Sequence, residues 1–457
     1  MRSLLAAGIL LLLPALAFAA QTSQGGQNAT GDSCGSLSTN FLQDLQKGDF
    51  PAATGAFTVR MKAGIDAQKL KQIWQQSLPQ QFGSFERAAT PKAMQQGRHS
   101  ATITPLKFAN GWLDMSVNCN SKHQIEGLFF RPGTAPTAAT ANATAWITRA
   151  AVGKKTLPIT VQRDGFVLYG MLDLPTGKGP FPVVDIIPGS GPVTINGNAG
   201  GIAYNPYKKL ALAFVKAGWA VARIAKRGLP PSTGDGNNIV FANQVADNLA
   251  IVEALRKNPH INPNRIVVAG HSIGGLIAPK LATETHLAGL ILLEAPGESL
   301  TKISTAQAME MNQQAGGSAT RLAAIKKVQE GFYQKVAQTP PGKSISYAGK
   351  EYPAWNVQLV KSWYAQEPLA TASKVKIPVL VVQGGLDFNT PPGNGKRLVE
   401  ALPNGTLLYL PRMGHALDVA PCRCLKQLDT GKDATLAPGL AAGIIHWLQV
   451  LEPRSDG

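Results

Sequence analysis

The chain has 457 residues, 44% of them hydrophobic, which is enough for two or three domains with large cores. Lys and Arg total 44 against 27 Asp and Glu, a formal charge of +17, but the excess is spread along the chain and forms no tail or block. That spread argues against nucleic-acid binding, and no segment after the leader is apolar for long enough to span a membrane.

The first twenty residues read as a secretory signal. Arg2 is followed by an apolar run from Leu4 to Leu13, then Pro14 and the small-residue site Ala17-Phe18-Ala19. No cysteine lies at the cleavage site, which argues against a lipid anchor, so the mature chain is expected to be exported, most simply to a bacterial periplasm. Residues 20–35 are polar and read as a linker. From Leu37 to Leu78 the pattern is helical: Leu37, Phe41 and Leu45 recur every four residues, and Asp66 is placed to cap a helix carrying Leu70, Ile73, Trp74 and Leu78. Strand patterns follow at Ser100–Phe108, Trp112–Val117 and Gln124–Phe130, with an Asn110-Gly111 turn. Residues 36–132 therefore predict a small α+β domain. Residues 133–150, rich in Ala and Thr, read as a second linker.

From residue 151 onward strands and helices alternate, which predicts a mostly parallel sheet. Eight strand candidates appear: Ile159–Gln162, Val167–Leu174, Val183–Ile187, Ala220–Ile224, Ile266–Ala269, Leu290–Leu293, Val379–Gln383 and Leu407–Leu410. Between the sixth and seventh lies a helix-rich insertion from Glu298 to about Ser373. Its Tyr333, Tyr347, Tyr352, Trp355, Trp363 and Tyr364 suit either a lid lining an apolar pocket or a helical cap whose aromatics form its own core.

The fifth strand runs into Gly270-His271-Ser272-Ile273-Gly274, and a helix-compatible segment follows. Strand, tight turn and helix are the context of a nucleophile elbow. Ser272 would sit on a sharp turn that Gly270 and Gly274 leave room for, with its hydroxyl at a helix N-terminus. The same five-residue pattern at Gly31-Asp-Ser33-Cys-Gly35 has no strand before it and is set aside. A serine hydroxyl needs a base, and the base a carboxylate, in the chain order Ser, acid, His. Asp387, after the seventh strand, and His415, after the eighth, supply them. Asp418 is a rival acid too near His415 in the same loop. Main-chain N–H groups of Ile273 and of Ser190, with Gly191 the second choice, are the candidate oxyanion donors. His271 is expected to pack beside the turn, and the other histidines to be surface or packing residues.

Four cysteines allow three pairings. Cys34 with Cys119 would tie the N-terminal segment to a strand of the first domain and leave Cys422 and Cys424 to each other in a short loop. The Cys-x-Cys beside His415 has no second cluster at zinc spacing, so structural or free thiols are favoured over a metal.

The motifs Gly189-Ser-Gly-Pro192, Asn205-Pro-Tyr-Lys-Lys-Leu-Ala211, Lys226-Arg227-Gly228, Gly270-His-Ser-Ile-Gly274, Gly385-Leu-Asp387 and Gly414-His415 resemble the exported bacterial α/β-hydrolases of the serine esterase and dienelactone-hydrolase-like group. Phe41-Leu-Gln-Asp-Leu-Gln-Lys-Gly-Asp-Phe50 and Lys69-Leu-Lys-Gln-Ile-Trp74 resemble the small domain, similar to nuclear transport factor 2, that precedes some of them. The chain departs from those relatives at Val193-Thr-Ile-Asn196, where an Asp-Arg-Asp-like stretch is common, and at Ala225, where aspartate is usual; both bear on substrate. The resemblance implies an α/β-hydrolase fold and an exported ester hydrolase acting through an acyl-enzyme, with Ser272, His415 and Asp387 as triad and no cofactor or metal. A small-molecule ester would be the partner, with homodimerisation left open. A peptidase related to prolyl oligopeptidases is the alternative, although no propeller repeats precede the domain. A ligand-binding protein on a hydrolase scaffold is the non-enzyme alternative.

Overall fold

The computed structural model describes residues 33–451 except 90, 97–98, 121, 134–150, 153–154, 200–201, 203, 230, 237–238, 425–430 and 432. The leader and nearly all of the 133–150 linker lie outside the described residues. The chain divides into two compact units, one reaching back from Trp146 and taking in Lys226–Gly236, the other holding 147–225 and 237–457. The segment Lys226–Gly236 thus groups with the small unit, which the sequence division at residue 151 did not anticipate.

In the small unit the helical pattern is broken into pieces: Ser33–Lys47, Phe50–Gly55, Val59–Gly64, Ala67–Gln72, a π-helical turn Ile73–Ser77, and Leu78–Phe82. Glycines and caps set the breaks. Asp49, Thr58 and Asp66 each accept the N–H of the residue three further on, so each starts a new helix. Ser33 opens a helix instead of lying in a linker, so the second Gly-x-Ser-x-Gly match lacks an elbow. The sheet is antiparallel, with β1 (Phe85–Ala88), β2 (Lys92–Gln96), β3 (His99–Phe108), β4 (Gly111–Cys119) and β5 (Ile125–Gly133). Strand β3 pairs with β1, β2 and β4, and β5 closes on β4. The two short strands β1 and β2 carry little apolar alternation and were not foreseen. Phe41, Leu45, Phe57, Leu70, Trp74, Phe108, Met115 and Ile125 fill the core between helices and sheet. Cys34 is bonded to Cys119 across this core, and Cys422 to Cys424 in the other unit.

The larger unit holds all eight expected strands: β6 (Lys155–Arg163), β7 (Phe166–Leu174), β8 (Phe181–Ile187), β9 (Ala220–Ile224), β10 (Ile261–His271), β11 (Gly289–Leu293), β14 (Val379–Gly384) and β15 (Gly405–Leu410). Their order across the sheet is β15-β14-β11-β10-β8-β9-β7-β6. Only the β6–β7 and β7–β9 pairings are antiparallel. Central strands are buried on both faces, which is why they read as unbroken Val/Ile/Leu runs. Val184, Ile186, Val267, Ala269, Ile291 and Val382 pack on one face against helices Pro206–Lys216 and Leu440–Val450. Val183, Ile187, Val268, Leu292 and Val381 pack on the other against Phe241–Arg256 and Gly274–Ala282.

Three ionisable residues interrupt this core. Arg223 on β9 and Asp173 on β7 form a fully buried pair, Nη2 to Oδ2 2.7 Å, and Arg223 Nη1 also donates to Asn196 Oδ1 at 2.5 Å in the loop after β8. Asp185 in the middle of β8 is buried, its Oδ2 has no hydrogen-bond partner among the described residues, and burial raises its carboxyl to about 7.

The insertion between β11 and β14 folds as helices Leu300–Gln314, Ala319–Gln338, Ala354–Tyr364 and Pro368–Ala372, with a hairpin of β12 (Ile345–Tyr347) and β13 (Lys350–Tyr352). Its aromatic residues correct the pocket expectation. Phe332, Val336, Ile345, Tyr352, Val357 and Val360 form a closed cluster, with Tyr333, Tyr347 and Tyr364 packed on it. Trp363 lies in the main core, edge-on to Phe241 at 5.1 Å, and its indole N–H donates to the Ile239 carbonyl. Trp355 is half-buried against the same core. An inserted segment of this size needs its own apolar centre, and these rings supply it.

Candidate active site

Strands β8, β10, β11, β14 and β15 all point their C-terminal ends the same way, and the loops leaving four of them converge. At the end of β10, Ser272 takes a left-handed backbone, φ 55°, and its N–H donates to the Leu293 carbonyl at 2.9 Å. A β-carbon on Gly270 would strike the Gly274 carbonyl, and one on Gly274 would lie 2.6 Å from the Ile187 oxygen. Both elbow glycines are therefore required by close approach of backbone, as the motif predicts. Helix Gly274–Ala282 starts directly behind the serine.

The His415 ring bridges serine and acid. Nε2 is 3.0 Å from Ser272 Oγ and Nδ1 is 2.9 Å from Asp387 Oδ2, with all three side chains buried. A carboxylate accepts, so Nδ1 donates to Asp387 while Nε2 faces the Ser272 hydroxyl. Asp387 Oδ1 also receives the N–H groups of Asn389 and Thr390 at 2.7 and 2.9 Å, and Thr390 Oγ1 lies 2.5 Å from Oδ2. Burial alone would raise this carboxyl. The neighbouring His415 and hydrogen bonds from His415, Glu294 and Thr390 outweigh it and hold Asp387 below its ordinary value.

Glu294, just past β11, was not singled out by the sequence. It is fully buried in a left-handed conformation, φ 47°, accepting from Gln383 Nε2 at 2.6 Å and the Gly384 N–H at 2.7 Å. Burial first, and the charge of Asp387 second, push its carboxyl well above its ordinary value. Thr390 Oγ1 also lies 2.9 Å from the Glu294 carbonyl. The one available signal for Thr390 was its position three residues after Asp387, where a carboxylate reaches a following N–H.

The loop after β8 passes close to the serine: a β-carbon on Gly189 would lie 3.1 Å from Ser272 Cβ. Among the described residues no hydrogen bond engages the main-chain N–H of Ser190 or of Ile273, which leaves both able to receive an oxyanion. His271 does pack beside the elbow, but also makes two specific hydrogen bonds, to Tyr207 and to the His415 carbonyl. From the insertion, Gln307 Nε2 donates to the Asn389 carbonyl beside Asp387. Among the described residues no group of three or more His, Cys, Asp or Glu converges as a metal site, and no helix is long and apolar enough to cross a membrane.

Residues 200–418 match the family model described as serine aminopeptidase, S33, under the name Hydrolase_4. With the eight-strand order above, that match decides the fold. The chain carries an α/β-hydrolase domain. Residues 38–128 match a family described as protein of unknown function (DUF3887), consistent with the expected small domain similar to nuclear transport factor 2. Esterase EstD of Thermotoga maritima is 24% identical over 356 residues, covering 76% of this chain and 78% of that protein. An uncharacterized 31.7 kDa protein of Escherichia coli, from the traX-finO intergenic region, is 27% identical over 206 residues, 43% of this chain and 72% of its own. Among solved structures, Est1E of Butyrivibrio proteoclasticus with ferulic acid aligns at TM-score 0.42 and 18% identity, covering 64% of this chain and 96% of that one.

Proposed function

We propose that this α/β-hydrolase is a serine esterase acting through an acyl-enzyme. The observation that carries the proposal is the unbroken line Ser272 Oγ, His415 and Asp387, with both contacts of the ring within hydrogen-bond distance. In this mechanism Ser272 attacks the ester carbonyl as His415 Nε2 takes its proton, and Asp387 holds the ring and balances the imidazolium. The N–H groups of Ser190 and Ile273 stabilise the tetrahedral oxyanion. His415 then protonates the leaving alcohol, and water repeats the sequence to release the acid.

An ester is preferred to an amide as substrate on two grounds. The curated relative matched over most of its length is named an esterase. An aminopeptidase, the activity in the family model's description, needs a carboxylate to receive the substrate's ammonium group, and Asp387 and Glu294 are fully buried and already hydrogen-bonded. The test is a matched series of p-nitrophenyl esters and aminoacyl p-nitroanilides. Ester turnover with a burst of p-nitrophenol supports the proposal, and preferential cleavage of the anilides would replace it with a peptidase.

Export to the periplasm is part of the same proposal, supported by the leader pattern in residues 1–20 and by two disulfides that suit an oxidising compartment. Mature protein recovered from periplasmic extract should begin close to Gln21; full-length protein confined to the cytosol would contradict it. We also propose that the 133–150 linker separates two units that each fold around their own core. The grouping of Lys226–Gly236 with the small unit makes limited proteolysis in that linker the fitting check, with two stable fragments expected.

A further inference from the structure

Four buried groups from four different segments form one line of hydrogen bonds beside the proposed triad. The Gly189 N–H donates to Tyr207 Oη at 3.3 Å, Tyr207 Oη lies 2.7 Å from His271 Nδ1, and His271 Nε2 lies 2.9 Å from the His415 carbonyl oxygen. The Tyr207 and His271 rings meet edge to face at 5.6 Å, and the His271 and His415 rings are 5.0 Å apart.

The direction of every bond in this line is fixed by chemistry. The His415 carbonyl can only accept, so His271 Nε2 must carry a proton. Burial, then the neighbouring His415, lowers His271 to about 3, so it is neutral at working pH and has one ring proton only. Its Nδ1 therefore accepts the Tyr207 hydroxyl proton, and the Tyr207 oxygen is left to accept from Gly189. A neutral His271 also spares the imidazolium that forms on His415 a like charge next to it.

We infer that Tyr207 and His271 are positioning residues that lock the oxyanion loop and the His415 loop onto the Ser272 elbow. This rests on the triad proposed above. One end of the line holds the residue preceding Ser190, whose N–H is a proposed oxyanion donor. The other end holds the main chain of His415 itself, and the middle is the residue preceding Ser272. None of these segments is adjacent to another in sequence, and the sheet register alone does not fix the two loops beyond the strand ends. Helix Pro206–Lys216, which brings Tyr207, starts at Asn205 in a left-handed conformation held by paired bonds to Asn198, Oδ1 to Nδ2 2.9 Å and N–H to Oδ1 2.8 Å.

The test uses the full-length protein with Tyr207→Phe, His271→Phe, the double variant and His271→Gln. The Gln amide can donate to the His415 carbonyl and accept from Tyr207. Thermal unfolding confirms that each variant is folded, and His271→Gln serves where the larger change fails to fold. Each single Phe variant should lower kcat by about tenfold or more with KM within about twofold, since the line acts on the transition state and not on ground-state binding. The double variant should be no worse than the worse single one, because a line breaks only once. His271→Gln should recover most of the loss, and affinity for a boronic acid transition-state mimic should fall in step with kcat/KM. Fluorophosphonate labelling of the wild type is run alongside. If the wild type labels at Ser272 but the losses are additive, fall on KM, or are not relieved by Gln, the relay is wrong and the triad stands. If the wild type does not label, both fall.

Discussion

The Ser272 hydroxyl lies 3.0 Å from His415 Nε2 although 143 positions separate them in the chain. The ends of a central strand, β10, and an edge strand, β15, of the same sheet make the meeting possible. The left-handed turn at Ser272 lifts its side chain off β10, and the loop after β15 folds back over it through the Gly414 N–H bond to the Asp418 carbonyl at 3.0 Å. Asp387 reaches the same ring from β14, the strand beside β15.

The carboxylate's part in this arrangement can be tested by Asp387→Asn. The amide would offer an N–H to His415 Nδ1, which then has to accept, leaving Nε2 protonated and unable to take the serine's proton. A fall in kcat of about 10⁴ with the fold intact is expected from steady-state ester hydrolysis. Because Asp387 is held below its ordinary value, its own protonation adds no acid limb to the rate profile near neutral pH.

The aromatic residues of the insertion are predicted to matter for stability rather than for acyl-chain preference. Trp363→Ala removes a buried ring from the core under Phe241 and the Ile239 carbonyl bond, at a cost of about 3–5 kcal/mol. Denaturant unfolding should show that loss, while relative rates on acetyl, butyryl and octanoyl esters stay unchanged. A shifted preference with normal stability would restore the pocket role.

Asp185 makes stability depend on pH. Its folded value is raised to about 7 from 3.8, so the fold holds the proton more tightly than the unfolded chain does. That contribution is complete below the unfolded value and is lost as pH rises from there through 7, a change on the order of 4 kcal/mol. Glu294, raised as well, acts with the same sign. Asp185→Asn should flatten the fall in unfolding free energy between pH 5 and 8.5; an unchanged slope would mean Asp185 finds a partner in solution.

The Arg223–Asp173 pair is the reverse case, two buried charges that face each other. Burial lowers the guanidinium and Asp173 opposes that. Arg223→Met leaves Asp173 charged, with the Thr156 hydroxyl and Val152 N–H as its remaining donors, and should cost about 3–5 kcal/mol. Asp173→Leu added to it should recover part of that loss, measured by thermal unfolding.

Much of this was legible in the sequence because backbone geometry writes itself into residue choice. Doubly buried strands gave continuous apolar runs, and the elbow required Gly270 and Gly274. What stayed hidden was cooperation at a distance. Glu294 meets Gln383 and Gly384 89 and 90 positions away, and Tyr207 meets His271 64 positions away, so no local pattern marks either contact. The aromatic residues of the insertion misled for a related reason. Ring content signals burial but does not say whether a pocket or a core is being built.

The central claim is that Ser272 is the nucleophile, and active-site labelling tests it most directly. Purified full-length protein is treated with a fluorophosphonate and the modified peptide is identified by mass spectrometry, with Ser272→Ala in parallel. One adduct is expected, on Ser272, absent from the variant together with ester hydrolysis. Labelling on Ser33 or any other serine, or ester turnover that survives Ser272→Ala, would contradict it.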